Sequence, residues 1–140
     1  MTIWEYDTEE NPVTELTDAE CWEALRGSAF GRLAYRLGEE VGIVPVNAVV
    51  DGDRLVFRTA EGSKLLGLHM SDAVAFEVDE VTDATATSVV ARGRACVLEG
   101  TEEERAELLH VSPWSTTWKG TFVAIDVTEL TGRRFRLRQG

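Results

Sequence analysis

Within the segment FRTAEGSKL, Arg58, Thr59, Ser63 and Lys64 gather a guanidinium, two hydroxyls and an ammonium into one short stretch. Arg58 and Thr59 close a strand-like run, Glu61-Gly62 supplies a turn, and Ser63 and Lys64 open a helical pattern. A helix start offers unbonded backbone N–H groups, an arginine can grip two oxygens at once, and a lysine adds a point charge, so the group suits a phosphate. Solvated surface charges with Ser63 as a helix cap are the plainer alternative, since no glycine-rich phosphate loop or dinucleotide fingerprint accompanies them. The formal net charge of −11 sharpens the choice. A chain this acidic repels nucleic acid and anionic membrane surfaces, and a cluster of cations on it calls for a local cause.

Other residues offer weaker signals. Asn47 interrupts the apolar run IVPVNAVV, where an amide needs a partner if buried. Pro45, unable to donate a ladder hydrogen bond, predicts an edge or a bulge there. Val46 and Asn47 can meet the polar edge of a ring, or Asn47 can simply satisfy a bulge. Trp114 and Trp118 lie in a Ser/Thr-rich loop that either covers an aromatic ligand or anchors on the core. Arg92 and Arg94 flank Gly93, and Arg134, Arg136 and Arg138 alternate with Phe135 and Leu137; ion pairs and a solvated strand edge explain both sets as well as an anion site does. His69 and His110 fall at helix ends, no nucleophile elbow appears, and no carboxylate pair stands out. Catalytic residues are therefore not assigned. Cys21 and Cys96 lack metal-ligand spacing and read as core fillers, so no metal is expected.

These groups need strands and turns to hold them. Thr17 and Glu20 form a capping-box pattern ahead of Cys21, Trp22, Leu25 and Ala29, predicting a helix that Gly31 ends. Period-two patterns then predict strands around Leu33 and Tyr35, over Ile43 to Val50, over Arg54 to Thr59, over Val74 to Val81 and over Ser88 to Leu98. Asp51-Gly52 predicts a tight hairpin. Gly62 to His69 reads as a short helix and Thr101 to His110 as another, capped by Thr101 with Glu104. TFVAIDVTEL and the alternating RRFRLRQG complete the pattern. Residues 1–16 read as an irregular lead-in and 17–140 as one domain, mainly β, an antiparallel barrel or sandwich with short flanking helices. With no long apolar run and no signal-peptide pattern, a cytoplasmic location is expected.

The stretches LTDAECWEALRGSAFGRLAYR, VPVNAVVDGDRLVFRTAEGSKL, VARGRACVL and VTELTGRR resemble small bacterial members of the pyridoxamine 5′-phosphate oxidase-like family. The resemblance implies a six-stranded antiparallel split β-barrel and a homodimer with FMN between the subunits. It further implies that Arg58, Thr59, Ser63 and Lys64 hold the FMN phosphate, that Val46 and Asn47 lie along the ring, and that Trp114 closes over it. The activity so implied is two-electron transfer through flavin N5 to or from a small molecule. An F420-dependent reductase and a flavin-binding protein without turnover are the alternatives. The chain ends in GRRFRLRQG without the Arg-x-His segment of the vitamin B6 oxidases, so pyridoxine phosphate is not the expected substrate.

Overall fold

Local chemistry sets the first helix. In the computed structural model, which describes residues 13–28, 30–59, 72–109, 111 and 120–137, the Thr17 hydroxyl accepts from the Glu20 amide at 3.2 Å. The Glu20 carboxylate in turn accepts from the Thr17 amide at 2.9 Å. These reciprocal bonds satisfy donors that the first turn leaves open, and the bond from the Thr17 backbone is the main cause holding the Glu20 carboxyl below its ordinary value. The helix they start, α1 (Asp18–Gly27), buries Cys21 and Leu25.

Before it lies β1 (Val13–Glu15); after it come β2 (Phe30–Leu37), β3 (Glu40–Asp51), β4 (Arg54–Thr59), β5 (Asp72–Val81), β6 (Thr85–Val97), α2 (Thr101–Glu107) and β7 (Thr121–Arg136). The strands form one seven-stranded antiparallel sheet in the order β1-β7-β4-β3-β2-β5-β6, with β6 also pairing to β7. This corrects the expectation of a six-stranded split β-barrel. The additional strand, β1, pairs through Val13 with Phe135 and through Glu15 with Arg133. It falls among residues read from sequence as an irregular lead-in, because three residues are too few to show a period.

Turns place the strands in register. Gly38 and Gly52 each open a two-residue connection with positive φ, which glycine adopts without steric cost. The second hairpin turns at Gly52-Asp53, one residue later than an Asp-Gly turn, because Asp51 still pairs with Arg54. The second helix also differs from the sequence expectation. Gly100, at φ +63°, takes the N-cap position with no side-chain cap bond, so Thr101 lies inside the helix and its hydroxyl does not cap it. The helix predicted over Gly62 to His69 lies outside the described residues.

Two apolar clusters cover opposite faces of β4. Leu55 and Phe57 join the main core with Leu33, Ala48, Phe76 and Ile125. Val56 joins a smaller cluster with Leu98, Ala106, Phe122 and Ala124. The alternation of β4 thus feeds both clusters, and the site sits where the smaller one ends.

Candidate functional site

Two residues beyond Val56 on the same face of β4 stands Arg58, whose side chain is only 12% exposed. Phe122 lies directly across from it on β7, and the guanidinium carbon sits 4.5 Å from the centre of the Phe122 ring. The ring face carries negative charge density that attracts a cation held over it. Glu107, the last residue of α2, brings Oε1 to 3.8 Å from Arg58 Nη2. Arg58 Nε is buried and has no hydrogen-bond partner among the described residues. A buried donor left unpaired costs about 1–3 kcal/mol, and among the described residues Arg58 Nε is the buried side-chain donor still open to an acceptor.

The remaining sequence-picked residues distribute unevenly. Ala48 pairs with Phe57, the last pair of the β3–β4 ladder, and by alternation the next residue, Asn47, falls on the same face of the sheet as Arg58. Asn47 pairs with Phe30 on its other side and is half-buried. Val46, 4% exposed, belongs to the main core, so its main chain is what it can offer a ligand. Thr59 is the one buried polar residue among the described residues; it closes β4 opposite Thr121 and alternates to the face away from Arg58. Ser63, Lys64 and Trp114 lie outside the described residues.

Pro45 occupies an edge. Glu40 to Asn47 pair with β2, while the β3–β4 ladder begins only at Ala48 among the described residues. The missing N–H of Pro45 therefore interrupts no described ladder, and no bulge is needed. Gly93 sits at a bulge where β6 shifts register against β7, and a Cβ there would meet the Asp126 carbonyl oxygen. Its small size admits the protein's own main chain. Arg92 is engaged by Glu129 at 3.4 Å and by the Thr131 hydroxyl at 3.3 Å. Burial pushes both cysteine thiols above their usual range, which keeps them protonated and poorly nucleophilic.

The described residues line cavities away from Arg58, one of about 370 Å³ beside Tyr35, Arg92 and Arg94 and two that are larger. One, of about 390 Å³, opens between α1 and β5–β7 beside Glu23, Asp79 and Arg134. The other, of about 730 Å³, lies over Glu77, Ser88, Arg92 and Thr131. Their polar walls already pair internally, Ser88 to Glu77 at 3.2 Å and Arg134 to Thr87 at 3.1 Å. The unpaired donor of Arg58 therefore weighs more than either volume. Phe122 and Glu107, which complete its setting, carry no local signal in the sequence: strand pairing sets Phe122 against Arg58, and the packing of α2 sets Glu107 there.

The family pattern of pyridoxamine 5′-phosphate oxidase matches residues 17–134 of the chain. A solved structure from Corynebacterium glutamicum, named for the same oxidase, is 40% identical with a TM-score of 0.81, over 90% of this chain and 100% of that one. The FAD-binding protein of Mycobacterium smegmatis is 35% identical with a TM-score of 0.78, over 89% of this chain and 100% of that one. An uncharacterised protein of Mycobacterium tuberculosis is 44% identical over 92 residues, covering 63% of this chain and 81% of the relative.

Proposed function

The chain belongs to the pyridoxamine 5′-phosphate oxidase family, and from that premise we propose that it is a flavin-binding protein whose Arg58 grips the cofactor phosphate. The buried Nε without a partner among the described residues is the observation that carries this reading. An oxyanion satisfies it: one oxygen meets Nε, a second meets Nη2, and Phe122 holds the guanidinium plane from below. Ser63 and Lys64 are proposed to complete the phosphate grip, with Thr59, whose side chain faces away from Arg58, contributing through its main chain; Val46 and Asn47 are proposed to meet the ring edge, and Trp114 to close over it. We favour FMN. FAD is the second reading, supported by the FAD-binding relative from Mycobacterium smegmatis.

When bound, the flavin supplies two-electron transfer at its ring to or from a small molecule. The chain's own residues bind and orient it. A homodimer with the cofactor between subunits fits the outer face of β2 and β3. There Phe30, Val41 and Ile43 are 43%, 77% and 66% exposed and continue through Asn47 toward Arg58. Contiguous exposed apolar surface of this kind marks an association site.

Denaturing the purified protein and weighing the released cofactor by mass spectrometry tests the reading. FMN is expected; FAD or F420 would transfer the proposal to that cofactor. Failure of the apo-protein to bind FMN, FAD or F420 on titration would remove it. Arg58→Ala should weaken binding of the phosphate-bearing flavin by about tenfold to a hundredfold, the worth of a charge-assisted hydrogen bond. Light scattering should report a dimer, and a flavin-loaded monomer would overturn the intersubunit site. Reduction or reoxidation of the bound flavin coupled to a defined substrate decides for turnover.

A further inference from the structure

Glu107 stands beside Nη2 of Arg58, at one end of the edge that an oxyanion would have to take. Nε and Nη2 share one edge of a guanidinium, and that edge accepts a carboxylate or phosphate through two parallel bonds. In Arg58 this edge carries an incomplete partner: Glu107 Oε1 stands 3.8 Å from Nη2, too far for a hydrogen bond, and Nε is unpaired among the described residues. The carboxylate compensates the buried cation without using its directed donors. The two side chains also differ in freedom. Arg58 is 12% exposed and pinned over Phe122, whereas Glu107 is 51% exposed at the end of α2, so Glu107 can swing into solvent while Arg58 stays.

We propose that Glu107 is a resident counter-ion that the cofactor phosphate displaces from Arg58, so that the end of α2 sets how tightly the protein takes a phosphate-bearing flavin. This rests on the reading of Arg58 as the phosphate grip. Before binding, the carboxylate neutralises a buried cation that has no other ion-pair partner among the described residues. On binding, the Arg58–Glu107 pair is exchanged for an Arg58–phosphate pair, and the displaced carboxylate remains a negative charge near the incoming anion. Its presence lowers affinity for the phosphate, and it has no such effect on a flavin that carries none.

The test compares wild-type protein, Glu107→Gln, Arg58→Ala and the double variant, with dissociation constants measured by fluorescence quenching for FMN, FAD and riboflavin. Glu107→Gln keeps the shape of an exposed side chain, and circular dichroism verifies its fold. Binding of the preferred phosphate-bearing flavin should tighten by about fivefold, the scale of one partly exposed ion pair. Riboflavin affinity should not change, and the gain should vanish in the Arg58→Ala background. Unchanged or weakened FMN and FAD binding in Glu107→Gln, with the wild type binding either one, overturns the counter-ion role alone. Equal tightening for riboflavin overturns it as well, since the effect would then not pass through phosphate. A wild-type protein that binds none of the three removes the flavin reading and the counter-ion with it.

Discussion

The two halves of β3 are built of similar residues and put to different uses. From Ala48 to Asp51 the strand pairs with β4, and Ala48 packs in the main core while Val49 packs against the smaller one. From Glu40 to Asn47 it pairs with β2, and Val41 and Ile43 stand exposed on its outer face. Apolar residues covered on both faces hold the fold together; the same types left uncovered are the surface on which the proposed self-association rests. Asn47 lies at the seam, one residue beyond the β3–β4 ladder, on the same face of the sheet as Arg58.

Substitutions can break this contrast, starting with the largest effect. Phe57→Ala, at a side chain with 0% exposure opposite Ala48, should cost about 3–5 kcal/mol in denaturant unfolding. A loss below about 1 kcal/mol would mean that the paired half of β3 is not the structural one. Val56→Ala, on the other face of β4, should cost about 2 kcal/mol, from two lost methyl groups and a small cavity. Ile43→Ser should leave the unfolding free energy of the isolated protomer within about 0.5 kcal/mol, while light scattering shows weakened self-association. Intact assembly in that variant would remove the outer face of β3 from the proposed interface.

The smallest effect concerns pH. Glu77, which Arg32 approaches at 3.5 Å, is raised above its ordinary value of 4.5, first by lost hydration and then by Asp79. The folded chain thus holds this proton to a higher pH than the unfolded chain does. The group's contribution is most favourable below pH 4.5 and is lost as pH rises through the raised folded value. Glu77→Gln should flatten that part of the stability curve, as read from melting temperature against pH. An unchanged slope would place the pH dependence elsewhere.

Features made by near neighbours were legible in the sequence, and those made by distant pairing were not. The Thr17–Glu20 box is readable because both halves lie within one helical turn. The cap of α2 was misread: Thr101 and Glu104 match the same pattern, but Gly100 turns the chain one residue earlier with a positive φ that only glycine takes freely. The strand β1 escaped detection, and the pairing of β6 with β7 joins segments that no local period relates. The site divides in the same way. Arg58 stood out by its closeness to Thr59, Ser63 and Lys64 on an acidic chain, and Asn47 as an amide inside an apolar run. Phe122 and Glu107 are ordinary by type, and only the register of β4 against β7 and the packing of α2 set them beside Arg58.

Pro45 has a consequence for solubility. The half of β3 that carries it presents an open edge among the described residues, and an apolar edge of that length invites strand after strand to add until the protein precipitates. A residue with no N–H breaks the row of donors such growth requires, while the charge of Arg32 lies directly across on β2. Association through the side chains of the outer face does not depend on that donor, whereas a strand added along the edge would find one missing at Pro45.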